Sequence, residues 1–343
     1  MRNSGSGRHV LIFTAAAATL LLAMALAALT GPAAAGLNDI AATIVSLLSG
    51  KPLQDGAQMI VGEIRLPRIV VAALCGAALA AAGTVSQALF RNPLASPSIV
   101  GTESGGALAA VIVFYSGTAL ASSYTLPLAA MFGCAAATVV VFLAGNVAGW
   151  QRLENLLLAG FALNTLLGAA TSLTISLSLE DYQKSAAMMH WLLGGFQARG
   201  WEHAGIGVAL TAVGAMCAWR LAPRLDILAL GEEHASTLAV DTKKLRAQSI
   251  AVIAVLAGGA VAIAGAIPFV GLVVPHISRL LIGPGNRRLL LLSIINGMTL
   301  ILVADILART VRSPAEMEVG IVTSLIGAPY FLWLLLRQQR RPQ

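Results

Sequence analysis

Apolar residues in this chain come in runs of about 20, the length that crosses a bilayer as a helix, each closed by charge, proline or glycine. The runs do not alternate apolar with polar positions, so they predict helices and not strands. Lipid cannot satisfy a bare backbone, which restricts spanning structures to helices or a closed barrel. The expected fold is an all-α polytopic membrane protein, one transmembrane domain over residues 1–343, with about ten transmembrane helices.

The first run, Val10–Leu29, follows Arg2 and Arg8 and precedes GPAAAG. Cleavage within residues 1–35 as a signal peptide is one reading. The run exceeds the 7–15 residues of a signal h-region, which favours an uncleaved helix over about residues 10–29, with its amino end in the cytoplasm. Residues 31–64 are then extracytoplasmic, with an amphipathic piece near Ile40–Leu48. A second span covers about Arg68–Phe90. Pro67 sits in its first turn, where a helix tolerates proline, and Arg91-Asn92-Pro93 stops it. Further spans are expected at about Ser98–Tyr115, Thr125–Val147 and Asn155–Leu177. A polar patch at Glu180, Asp181 and Lys184 leads to Met188–Phe196 and Trp201. A sixth span, about His203–Leu221, delivers the chain to a charged stretch at Leu225–Arg246. The seventh reaches about Ile267, and the eighth is short and broken by Pro275. The ninth covers about Leu289–Ala308 and the tenth about Val319–Leu336.

Composition agrees: 57% of residues are hydrophobic and 11% charged, against about a quarter charged in soluble domains. Cys75, Cys134 and Cys217 lie in separate apolar runs, with neither zinc spacing nor a disulfide framework. The net charge of +7 invites a nucleic-acid partner, but the basic residues cluster at span ends, as topology signals do. Of the 22 lysines and arginines, fifteen fall on the inner face and seven (Lys51, Arg65, Arg68, Lys184, Arg199, Arg309, Arg312) on the outer. Leu225–Arg246 is thereby placed in the cytoplasm.

Ala72–Val85 aligns without gaps on Ala254–Ile267, with seven of fourteen positions identical, including Gly76 with Gly258 and Gly83 with Gly265. Because the two copies run in opposite directions, an inverted repeat of the transporter kind is one reading. Chance likeness between helices rich in small residues is the other.

No catalytic constellation, cofactor motif or metal-ligand spacing is present, and His9, His190, His203, His234 and His276 are dispersed. There is no phosphate-binding loop of the G-x-x-x-x-G-K-[ST] kind, so any ATP is bound by another chain. Glu103 lies early in a short helix, where the dipole favours an anion, and Asp305 lies one turn before Arg309, within pairing reach. A charge at a span centre costs about 2.5–3.5 kcal/mol, so two such residues near helix ends make a thin case for ion coupling. Arg65, Arg68 and Arg309 sit at outer span ends. They either snorkel to lipid headgroups or form a basic rim for an acidic partner. In the charged stretch, Glu232–Leu238 reads as a helix with both acids in its first turn, and Asp241 as the cap of the next. It is either a solvated connector or, given its leucines, a helix that fills a socket.

Six motifs occur in order: RLPR (65–68), RNPLASPSIVG (91–101), LALGEEHASTLAV (228–240), GAIPFVGLVVPHISRLLIGPGNRR (265–288), ADILART (304–310) and IGAPYFLWLLLR (326–337). Together they resemble the permease subunit of bacterial ABC importers for iron-siderophores, haem and vitamin B12. The resemblance implies a ten-helix subunit in the bacterial inner membrane that pairs with a second copy around the path. Two cytoplasmic ATPase subunits and one periplasmic binding protein are its partners, with membrane lipid around it. It implies a coupling helix at 231–239 (Gly231, Glu232, Glu233, His234, Ala235, Leu238, Ala239) within a cytoplasmic loop of about 222–246. It also implies docking of the binding protein on Arg65, Arg68 and Arg309, and a cytoplasmic gate at Asn92 and Leu94. Family members usually carry glycine where this chain has Ala239. The implied cargo is a ferric siderophore first, haem next and a corrinoid third. Met188, Met189 and His190 suit either haem ligation or a membrane-surface helix. An ion-coupled secondary transporter is the reading from a different class.

Overall fold

The computed structural model describes residues 4–31, 36–53, 55–119, 121–147 and 153–339. Most of the GPAAAG stretch lies outside them, as do Arg2, Arg152, Arg340 and Arg341 of the charge count. The described residues form helices and connections, with no strand among them.

Helix α1 (Ser4–Leu29) is followed by α2 (Leu37–Leu48), α3 (Gly56–Met59), a π turn (Ile60–Arg65) and α4 (Leu66–Leu89). A 3-10 turn (Pro97–Val100) leads into α5 (Thr102–Tyr115), then α6 (Thr125–Val147), α7 (Leu153–Ser176) and α8 (Tyr182–Leu193). The second half comprises α9 (Trp201–Ala229), α10 (Glu232–Thr237), α11 (Thr242–Ala264), α12 (Val270–Ile282), α13 (Asn286–Thr310) and α14 (Val319–Gln339). Among the described residues, seven helices are long and apolar enough to cross a membrane: α1, the continuous rod from α3 to α4, α6, α7, α9, α11 and α13. The apolar helices α2, α5, α12 and α14 are shorter.

The core is built on α4, which packs on α13, α11, α9 and α12. Its small side chains are the reason. A Cβ on Gly76 would lie 2.2 Å from the carbonyl oxygen of Gly297 in α13, and one on Gly83 would lie 1.8 Å from that of Gly271 in α12. Backbones touch at both crossings, which gives dispersion contact where lipid removes the hydrophobic drive for helix association. The first segment of the candidate repeat lies inside α4, and the second runs through α11 to three residues past its end at Ala264; these are the most buried helices and pack on each other. Cys75 and Cys134 are buried as free thiols, and Cys217 is half-buried and free.

Three boundaries differ from expectation. The second span does not begin at Arg68: the chain is helical from Gly56, and a π turn precedes Pro67. Proline has no N–H, and its ring presses on the carbonyl four residues back. The wider turn, in which the Leu66 amide donates to the Val61 carbonyl, relieves that clash. Helix α9 runs eight residues past Leu221 because Leu221, Leu225 and Leu228 recur on one buried face. Pro275 does not break α12, which stays helical around it.

Candidate functional site

The residues expected at the coupling helix form a short, tightly capped element between α9 and α11. Gly231 precedes α10 with φ +114°, a region that favours glycine. At the other end the Val240 amide donates to the Ala235 carbonyl at 3.0 Å and the Ala239 amide to that of Ser236 at 3.1 Å. That pair of bonds is a Schellman cap, with Ala239 in its left-handed position at φ +57°. The geometry explains why glycine suits this position, and Ala239 holds it with a Cβ present. We expect Ala239→Gly to steady the cap by about 1 kcal/mol, the cost of a left-handed L-residue less glycine's added chain entropy. Amide exchange at Ala239 and Val240 should slow by about fivefold. Asp241 caps α11 as expected, its Oδ1 accepting from the Lys244 amide at 3.0 Å.

Within α10, Ala235 is buried, whereas Glu233, His234, Ser236 and Thr237 face outward. Leu238 is 57% exposed and Leu230 67%, so two large apolar side chains flank an outward polar face. Glu232 is half-buried. Its carboxylate accepts from Arg246 of α11 and lies 3.7 Å from Arg91.

Arg91 belongs to the turn that carries the expected gate residues. The Asn92 amide donates to the Gln87 carbonyl at 3.1 Å and the Arg91 amide to that of Ala88 at 3.3 Å, a second Schellman cap with Arg91 at φ +49°. The Oδ1 of Asn92 then accepts from the Leu94 amide at 2.9 Å, a side-chain turn that fixes the loop. Asn92 is exposed and Leu94 half-buried. Glu232 therefore bridges the expected coupling helix and the turn that carries the expected gate residues, a pairing across 141 positions in the numbering that no sequence spacing advertises.

At the other end of the bundle Arg65, Arg68 and Arg309 come together, all at most 8% exposed. Arg68 donates to the fully buried Asp305 at 2.8 Å and to Glu316 at 2.9 Å. Arg309 pairs with the other oxygen of Asp305 at 3.1 Å, the expected one-turn contact. It also donates to the Thr30 carbonyl at 2.8 Å, and Arg65 donates to that of Ala28 at 2.9 Å. These carbonyls close α1, where a helix favours cations. The guanidiniums thus donate into the chain, which replaces the lipid-headgroup alternative. Sequence reasoning missed Glu316, which lies in the irregular 311–318 connection without a spacing signal.

Elsewhere, Asp181 caps α8 by accepting from the Lys184 amide, which holds its carboxyl below the usual carboxylate range. Met188 is buried in the core while Met189 is exposed, and His190 lies 2.5 Å from Glu318. The three side chains do not converge as a haem-ligand set. Among the described residues no three His, Cys, Asp or Glu side chains gather around a metal-sized site.

Residues 18–337 match the FecCD transport family. The chain is 40% identical over 282 residues to the hemin transport system permease protein of Yersinia pestis, covering 81% of this chain and 84% of that one. It is 40% identical over 302 residues to the cobalamin import system permease protein of Halobacterium salinarum, covering 84% and 78% respectively. A solved structure described as a metal-chelate-type ABC transporter in an inward-facing conformation superposes with a TM-score of 0.83 at 31% identity, covering 95% of this chain and 99% of that one. On the match across its helical length, this chain belongs to the FecCD transport family and is a membrane transport permease.

Proposed function

We propose that the chain is the permease subunit of an ATP-driven importer in the bacterial inner membrane. It takes a metal chelate from a periplasmic binding protein and releases it to the cytoplasm. A ferric siderophore is the first cargo, haem the next and a corrinoid the third. The similarity to a hemin permease and to a metal-chelate transporter supports a chelate, and the equal similarity to a cobalamin permease keeps the corrinoid reading.

The observation that carries this reading is the shape of α10. It is a capped helix with exposed Leu230 and Leu238, tied by Glu232 both to the foot of α11 and to the gate turn. An ATPase that seats on the leucines has a direct mechanical route, through Glu232 and Arg91, to Asn92 and Leu94. In this account the permease is a homodimer, each copy crossing the membrane about ten times, with α5, α12 and α14 added to the seven longer spans. Two cytoplasmic ATPases hydrolyse the ATP, and the α4 and α11 segments form an inverted repeat. The binding protein docks over the arginine cluster, where three guanidiniums outnumber Asp305 and Glu316 and an exposed Arg312 follows three residues after Arg309. Its acidic groups compete with Glu316 for Arg68.

Affinity purification of the permease expressed with its operon neighbours tests the partner claim. The expected result is an ATPase in stoichiometric amount, with association lost on Glu233→Lys. A stable, transport-competent permease that never retains an ATPase would contradict it.

A further inference from the structure

Among the cavities of the described residues, one lies apart from the coupling element and the arginine cluster. It is a space of about 420 Å³ between α9 and α11, on the α10 side of the bundle. Arg220 and Arg224 of α9 and Gln248 of α11 line its α10-proximal part, and Cys217, Ala251 and Val252 line the part further into the bundle. The cavity is thus basic at one end and apolar at the other.

Its depth in the bilayer follows from α9 itself. Trp201 and Trp219 lie 18 residues apart on that helix, about 27 Å at 1.5 Å per residue, close to the hydrocarbon thickness of about 30 Å. Tryptophan favours both membrane interfaces, and Trp219 carries the Arg287 guanidinium 4.5 Å from its ring centre. Arg220 and Arg224, at and one turn beyond that level, stand at headgroup depth. Both are exposed, and neither has a carboxylate partner among the described residues. The Oε1 of Gln248 is buried without a hydrogen-bond partner, which is costly unless a donor arrives.

We propose that this cavity binds an anionic phospholipid. Its phosphodiester sits between Arg220 and Arg224, a headgroup hydroxyl donates to Gln248, and an acyl chain lies along Cys217 and Val252. Phosphatidylglycerol supplies all three features. Basic pockets between membrane helices at the headgroup level are suited to such lipids. The bound lipid bridges the two helices that frame α10 and so sets their spacing. The site requires only that the chain spans a bilayer, and it stands whether or not the partner assignments do.

The test is a titration of the full-length protein in detergent with phosphatidylglycerol, phosphatidylcholine or inorganic phosphate, read by native mass spectrometry and thermal midpoint. Phosphatidylglycerol should be retained in preference and raise the midpoint. Arg224→Gln, at an exposed position that leaves the core intact, should weaken retention by about fivefold, and Arg220→Gln with Arg224→Gln should abolish the preference. If the double variant fails to fold, the single variant still decides. Equal retention of phosphatidylcholine, equal stabilisation by inorganic phosphate, unchanged retention in Arg224→Gln, or occupation of the cavity by a protein partner with no response to phosphatidylglycerol would each overturn the proposal.

Discussion

Leu238→Asp should abolish ATP-driven uptake while leaving the permease folded. Leu238 is 57% exposed, so replacing it costs little in the isolated chain. In the proposed complex with an ATPase the same change would remove an apolar side chain from its socket and put a charge there. The lost burial alone is worth about 2 kcal/mol, roughly 30-fold in the dissociation constant for the ATPase. Glu233→Lys, on the same outward face, should act in the same direction. Glu232 is the less clean probe. Its reversal would set a lysine against Arg246 and Arg91 and would dismantle the element from within. The measurement is the affinity of purified ATPase for each variant, together with the thermal midpoint of the permease. A variant that loses ATPase binding at an unchanged midpoint supports a docking role. Equal affinity for Leu238→Asp and the unaltered chain removes α10 from the interface.

Arg68→Ala should be the most damaging single change to stability. Asp305 is fully buried, and Arg68 meets it with a two-pronged contact while also holding Glu316. Removing one partner of a buried pair costs about 3–5 kcal/mol, because the remaining charge stays desolvated. Arg309 still pairs with Asp305, so the loss should fall toward the lower end. The double change Arg68→Ala with Asp305→Asn should recover nothing, because the buried Arg309 then loses its own carboxylate partner. Denaturation in mild detergent, followed by tryptophan fluorescence, reads the effect. A lowered midpoint in Arg68→Ala without any binding protein present separates a structural ion-pair cluster from a pure docking rim, for which the isolated permease would lose nothing.

Much of the architecture was legible because membrane spans announce themselves by run length. Helix α6 fell at its expected bounds, and α5, α7, α11, α13 and α14 within a few residues of theirs. Local pairings were legible too. Asp305 with Arg309 sits at helical spacing, and Asp241 capping α11 follows from its place before Thr242. Rules about proline misled where tertiary packing outweighs local cost. Pro67 lies inside a helical rod relieved by a π turn, Pro223 lies inside α9, and Pro275 inside α12. At the candidate site, the residue types were visible but their directions were not. Only the fold shows that Glu232 pairs with Arg246 while Leu238 faces out, and that Arg91, one residue before the expected gate pair, lies near Glu232. The arginines were visible as a set. Their burial was not, because Glu316 and the end of α1 reach them from distant parts of the chain.

The most direct measurement of the central claim is uptake into proteoliposomes holding the permease with its ATPase, supplied with binding protein and a radiolabelled metal chelate. The predicted result is accumulation that requires enclosed ATP, stops when the ATPase is omitted, and is lost in Leu238→Asp. Accumulation in vesicles that lack any ATPase, driven by a proton or sodium gradient alone, would contradict it.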